Sequence, residues 1–72
     1  MKKDILEIIE DKMDESKKEG YEGVEIPLFM RAYDIKKDVL DYLRKDNDVI
    51  YADDDKGIPT LYISWEDGIN YE

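Results

Sequence analysis

Acidic side chains occur in two short runs whose composition suits a divalent cation. The runs are Asp46-Asn47-Asp48 and Asp53-Asp54-Asp55-Lys56-Gly57. Ca²⁺ takes carboxylate and amide oxygens, and an EF-hand loop sets them at fixed positions with a glycine at the sixth. Counted from Asp53, the fifth residue is Gly57 and the sixth is Ile58. The runs do not follow the EF-hand pattern, so we predict no metal site and no cofactor.

Residues for covalent catalysis are scarce. The chain has no histidine and no cysteine, which excludes a nucleophile–imidazole pair, a thiolate nucleophile and a disulfide. Apart from the tyrosines, the hydroxyl groups belong to Ser16, Thr60 and Ser64, and none lies in a nucleophile motif. Two carboxylates can act together in glycoside hydrolysis, but nothing in the sequence selects a pair from the 20 acidic residues. We expect no enzymatic activity.

The charge balance bears on possible partners. The formal net charge is −9, and residues 49–72 carry six acidic side chains against Lys56 alone. Such a protein repels phosphate backbones at long range, which predicts weak non-specific binding to nucleic acid.

The length of 72 residues allows one domain, which we place at residues 1–72. A chain of this size buries only about 60% of its unfolded surface, so the core is small. A hydrophobic content of 42% nevertheless favours a folded domain over a disordered tail. No apolar run reaches the roughly 20 residues of a membrane span. The expected location is the cytoplasm of the producing cell or of a host cell.

Helical spacing of apolar residues marks two helices and a shorter one between them. The first covers residues 1–19 and ends before Gly20, and a minimal strand follows at Val24–Ile26. Pro27 suits the first turn of the short helix, and a further helix covers residues 35–46. The side chains expected in the core are, in these three helices in turn, Ile5, Leu6, Ile8, Ile9 and Met13; Leu28, Phe29, Ala32 and Tyr33; and Ile35, Val39, Leu40 and Leu43.

Two runs rich in β-branched and aromatic residues predict a hairpin. They are Val49–Tyr51 and Ile58–Ser64, joined by a loop at residues 52–57. In the second strand Leu61, Ile63 and Trp65 share one face. Pro59 predicts an edge position for this strand, because proline cannot donate to a β-ladder.

This order of elements resembles the winged helix-turn-helix superfamily. The apolar side chains that match the spacing between its two central helices are Phe29, Tyr33, Ile35, Leu40 and Leu43, within a resemblance that covers residues 27–64. Met30 and Asp34 stand where the family usually has a small residue and often a glycine. The resemblance implies an α+β fold, a small winged-helix-like domain with three helices, a β-hairpin wing and a short additional strand.

The same resemblance implies two contact surfaces. Residues 35–46 would form the recognition-type helix, whose nucleic-acid-facing side chains are Lys36, Lys37, Arg44 and Lys45. An ordinary solvated helix face is the preferred interpretation, because Asp34 and Asp38 flank the lysines and a DNA-binding surface is normally a clearly basic patch. The wing tip would carry Asp53, Asp54 and Asp55, which DNA repels.

Three functions remain, in order of preference. The first is a module that binds another protein, as a regulator or subunit, through a partner-binding surface on the wing and the acidic C-terminal part formed by Asp53, Asp54, Asp55, Tyr62, Glu66 and Asp67. The second is an inhibitor, similar in general character to phage DNA mimics and anti-CRISPR proteins, that presents carboxylates to a basic nucleic-acid enzyme. The third is a sequence-specific DNA-binding transcriptional regulator. A homodimer is compatible with all three.

Overall fold

A computed structural model describes residues 4–65 of the chain. These residues form an α+β fold with two α-helices, one 3₁₀ helix and a three-stranded antiparallel sheet. In chain order the elements are α1 (Ile5–Lys18), β1 (Gly23–Pro27), the 3₁₀ helix (Phe29–Asp34), α2 (Lys37–Arg44), β2 (Asp48–Asp53) and β3 (Pro59–Ser64). The predicted α+β class is confirmed, whereas the predicted short helix after β1 is a 3₁₀ helix.

Helix α1 buries the apolar stripe that its spacing predicts. Ile5, Ile9 and Met13 are 9%, 0% and 6% exposed. One turn later the hydroxyl of Ser16 donates to the carbonyl oxygen of Gly23 at 2.8 Å, which ties the end of α1 to the start of β1. The buried stripe therefore determines which side of α1 faces the sheet. Residues 1–3 of the predicted helix lie outside the described residues.

Strand β3 lies at the centre of the sheet, whose order is β1-β3-β2. The edge position predicted from Pro59 is wrong. Pro59 is the first residue of β3, a position where a missing N–H leaves the rest of the ladder intact. Its carbonyl oxygen accepts a hydrogen bond from the N–H of Leu28 at 2.9 Å. A central strand can therefore begin with proline.

The core lies between α1, α2 and one face of the sheet. On that face Val24 and Val49 flank Ile63 in register, and the next cross-strand row is centred on Leu61. Leu61 and Ile63 are 0% and 2% exposed, and Trp65 packs against the same core. This confirms the predicted inner face of β3. The opposite face, called the outer face below, carries Thr60, Tyr62 and Ser64.

The 3₁₀ helix presents its large side chains differently from the prediction. Leu28 is buried at 4% exposure and Ala32 is half-buried, but Phe29 and Tyr33 are 63% and 78% exposed. Their predicted place in the core is wrong. The prediction assumed 3.6 residues per turn, whereas a 3₁₀ helix has three, so residues three apart are aligned. Met30 and Tyr33 share one exposed row for that reason.

Helix α2 is shorter than the predicted range 35–46. Ile35 has extended torsion angles, φ −84° and ψ 105°, and Lys36 is the N-cap residue. Leu43 is 2% exposed, while Ile35, Val39 and Leu40 are half-buried against the core, which confirms the predicted stripe. Pro27 ends β1 opposite Thr60 and does not open the following helix, contrary to the prediction. The start of α2 at Lys37 leaves Lys36 and Lys37 at its N-terminal end.

Candidate functional site

The hairpin tip does not present three equivalent carboxylates. Asp54 Oδ1 accepts hydrogen bonds from the backbone N–H groups of Lys56 at 2.8 Å and Ile58 at 2.9 Å. The backbone N–H of Gly57, whose φ is +83°, donates to the Asp54 carbonyl oxygen at 3.0 Å. The Asp54 carboxylate therefore shapes the turn, an arrangement typical of aspartate in loops. Asp53 and Asp55 are exposed and are the tip carboxylates that a partner can reach.

The basic side chains of α2 are engaged within the molecule to different degrees. Lys37 Nζ lies 2.8 Å from Asp41 Oδ2, in an exposed i,i+4 ion pair. Arg44 donates from Nε and Nη2 to the carbonyl oxygen of Val49 at 3.4 and 3.3 Å. Lys45 Nζ lies 5.7 Å from the centre of the Tyr42 ring. These contacts fit an ordinary solvated helix face, with Lys36 exposed at its N-cap.

Tyr62 lies apart from the hairpin tip, although the sequence analysis assigned both to one partner-binding surface. It pairs with Ile50 and Glu25 on the outer face of the sheet. Tyr62 is three residues along β3 from Pro59, which at about 3.3 Å per residue is about 10 Å. Glu66 and Asp67, assigned to the same surface, lie outside the described residues. Among the described members of the predicted acidic surface, Tyr62 therefore lies apart from the tip aspartates.

An open groove of about 790 Å³ is lined by the C-terminal half of α1, by Tyr21 and by residues of all three strands, several of them on the outer face of the sheet. Its floor includes Gly23, where an added Cβ would sit 2.9 Å from the carbonyl oxygen of Ile63, so only glycine fits there. Apolar and aromatic side chains, including Ile50 and Tyr62, also line the groove. The charged lining residues are Lys12, Glu15, Glu19, Glu25 and Asp48, so carboxylates predominate. We call this feature the outer groove.

The largest exposed apolar side chains of the 3₁₀ helix form a second surface. Phe29, Met30 and Tyr33 are 63%, 80% and 78% exposed, and we call these three residues the aromatic patch. At about 2 Å per residue, the six-residue helix is only about 12 Å long, so the three residues lie within one short segment, with Met30 and Tyr33 aligned on one side of it. Tyr51 Oη donates to the Ala32 carbonyl oxygen at 3.3 Å and ties β2 to this helix.

Phe29 also has a strained backbone. Its φ is +47°, in the left-handed region that residues other than glycine rarely adopt. Strain of this kind is stored most often at functional positions, and large exposed apolar surfaces mark interaction sites. Sequence reasoning placed Phe29 and Tyr33 in the core, so it missed the patch. The one available signal was Met30, a large residue where winged helices usually have a small one.

Comparison of the chain with protein-family models, with curated proteins and with solved structures found no match in any of the three. Among the described residues, no helix combines the length and the apolar character needed to cross a membrane. Within residues 4–65, no group of three or more acidic side chains converges as it would around a metal ion. The case for function therefore depends on the surfaces just described.

Proposed function

We propose that this protein is a non-catalytic, winged-helix-like module that acts by binding another protein through the aromatic patch. The order of the elements supports the winged-helix assignment, with the β2–β3 hairpin in the position of the wing. The antiparallel sheet with β3 between β1 and β2 is compatible with it. The 3₁₀ helix then stands where the first helix of the helix-turn-helix is expected.

The exposure of the aromatic patch carries the proposal. Burying a large apolar side chain that was in water is worth roughly 1.5–3 kcal/mol. Aromatic residues and methionine are also enriched at protein–protein interfaces. A free domain gains nothing from holding Phe29, Met30 and Tyr33 in water, one of them on a strained backbone. A partner that covers them supplies the missing stabilisation.

A capture experiment with paired variants tests this proposal. The immobilised protein is exposed to nuclease-treated lysate of its natural host, and the retained proteins are compared between wild type and a Met30→Ser, Tyr33→Ser double variant. We expect the double variant to lose a protein that wild type retains. Tyr42→Ser is the matched control, since Tyr42 is 48% exposed and lies on α2, outside both the patch and the outer groove. Equal retention by wild type and the double variant would contradict the proposal.

A second candidate is inhibition of a nucleic-acid enzyme by mimicry of DNA charge. The observation that favours it is the outer groove, lined by Glu15, Glu19, Glu25 and Asp48 against Lys12. A partner bound there should be displaced by heparin, because polyanions compete for the same basic surface. Glu25→Lys should weaken its capture, whereas Met30→Ser should not. Capture that depends on Met30 and resists heparin would exclude mimicry in favour of the patch.

A further inference from the structure

Strand β2 forms an edge of the sheet. It is paired with β3 on one side, and among residues 4–65 no strand pairs with its other side. Five of its six residues are exposed, the exception being Val49. An exposed edge of this kind presents backbone N–H and C=O groups that can pair with a further strand.

The hairpin geometry shows which residues have backbone groups directed outward. The N–H of Asp54 donates to the Ile58 carbonyl oxygen at 2.9 Å, so this pair is a hydrogen-bonded one. Hydrogen-bonded and non-bonded pairs alternate along antiparallel strands. Val49, Tyr51 and Asp53 therefore direct their N–H and C=O groups away from β3. The contact of Arg44 with the Val49 carbonyl oxygen at 3.3 Å agrees with this direction.

We propose that the β2 edge pairs with β2 of a second copy of this chain, antiparallel and centred on Tyr51, to form a six-stranded sheet. In this register Tyr51 faces Tyr51 of the second copy, and Val49 faces Asp53 of the second copy on either side of the two-fold axis. The three outward-facing pairs can exchange up to about six N–H···O bonds. Two of these share the Val49 carbonyl oxygen with the Arg44 guanidinium, so four are free of competition within the chain. A register shifted by two residues forms fewer.

Charge complementarity favours this register. Directly opposed residues in an antiparallel pair project to the same face of the sheet. Asp53 of the second copy therefore lies on the same face as α2, beside Arg44, whose guanidinium already reaches the Val49 carbonyl oxygen. The two-fold axis makes this Arg–Asp pair occur twice.

Of the remaining residue pairs across the proposed interface, some are favourable and some are unfavourable. On the outer face Ile50, which is 62% exposed, gains Ala52 of the second copy as an apolar neighbour. Asp48 faces Asp54 of the second copy, which is unfavourable, although two backbone N–H groups already stabilise the Asp54 carboxylate. The gains come from the ladder, the Arg–Asp pairs and the apolar contact.

The expected dimer is weak. A six-residue strand is about 20 Å long, and interfaces that bury less than about 1,200 Å² are typically transient. Each copy carries a formal charge of −9, so long-range repulsion opposes association at low salt. Association should therefore strengthen as salt screens this repulsion, with a Debye length of about 8 Å at physiological ionic strength.

Sedimentation equilibrium of the whole chain tests the proposal at protein concentrations up to about 1 mM, where millimolar affinities become visible. We expect a monomer–dimer equilibrium at physiological salt. Tyr51→Pro should shift it to monomer, because proline removes an outward N–H and no bond to β3. Tyr51→Phe is the matched control that keeps the N–H, and it should still dimerise. Circular dichroism checks that each variant is folded.

A charge exchange tests the register even if Tyr51→Pro does not fold. Arg44→Asp and Asp53→Arg, made separately, should each lower the association constant about ten-fold, since each change affects two symmetric pairs. The double variant should restore association. A wild-type protein that stays monomeric at every concentration overturns the proposal, as does a folded Tyr51→Pro variant that still dimerises. A double variant that fails to recover overturns the register. None of these outcomes depends on the aromatic patch.

Discussion

Phe29 combines two features that each cost stability, a left-handed backbone and a ring that is 63% exposed. For a residue with a Cβ atom, the left-handed conformation costs roughly 1–2 kcal/mol. The residues on either side supply a reason for it. Leu28, just before Phe29, is buried in the core at 4% exposure, whereas Met30, just after it, is 80% exposed. The side chains therefore change from buried to exposed within three residues.

Two substitutions of Phe29 distinguish the effect of backbone strain on stability from the effect of losing the aromatic ring. We expect Phe29→Gly to be more stable than Phe29→Ala by about 1 kcal/mol, because both lose the ring and only glycine relieves the backbone. Urea denaturation of the two variants measures the difference. Both should capture a patch-dependent partner less well than wild type, to the same extent. A Phe29→Ala variant as stable as Phe29→Gly would show that the backbone is not strained in solution.

At the scale of elements, the β2–β3 hairpin is defined by one side chain and one glycine. The Asp54 carboxylate holds two N–H groups of the loop, and Gly57 supplies the positive φ that lets β3 begin in register with β2. Asp55 is exposed on the same turn. Two neighbouring aspartates of identical charge thus have different roles, one in the fold and one on the surface.

The hairpin makes a direct comparison of these aspartates possible. Asp54→Ala should destabilise the protein by about 1–2 kcal/mol, because two backbone donors lose their acceptor. Asp55→Ala should change stability by less than about 0.5 kcal/mol, as is usual for exposed positions. Thermal and urea unfolding followed by circular dichroism measure both. Equal effects would contradict the structural role of Asp54, because the two variants lose the same charge.

At the scale of the whole molecule, net charge opposes folding. The chain carries a formal charge of −9, and the structure has a radius of gyration of 12.5 Å. The Debye length is about 30 Å at 10 mM ionic strength and about 8 Å at physiological strength. At low salt every charge therefore acts on every other, whereas at physiological salt only near neighbours interact.

We expect the thermal midpoint to rise as NaCl is increased from about 10 mM to about 150 mM, because screening removes self-repulsion. Melting curves at fixed pH and at low protein concentration, where the monomer prevails, measure the change. Asp55→Lys reduces the negative charge at an exposed position, so its midpoint should rise less over the same range. A midpoint that falls with salt would mean that attractive pairs such as Lys37–Asp41 outweigh the repulsion.

Several features could be predicted from the sequence because they depend on local periodicity. The buried residues of α1, the half-buried stripe of α2 and the inner face of β3 all follow from spacing of 3.6 or 2 residues, and Ile9, Leu43 and Ile63 lie where that spacing places them. The α+β class follows from the order of these patterns. The absence of histidine and cysteine restricts the available chemistry without any structure.

Tertiary structure decided the features that depend on backbone torsion or on pairing between distant residues. The central position of β3 requires residues 23–27 to pair with residues 60–64, which no local pattern around Pro59 encodes. The double hydrogen bond of Asp54 requires the turn to be closed. Phe29 and Tyr33 are exposed because this segment forms a 3₁₀ helix that begins with a residue of positive φ. An α-helix with 3.6 residues per turn, as the sequence predicted, would have placed the same side chains in the core.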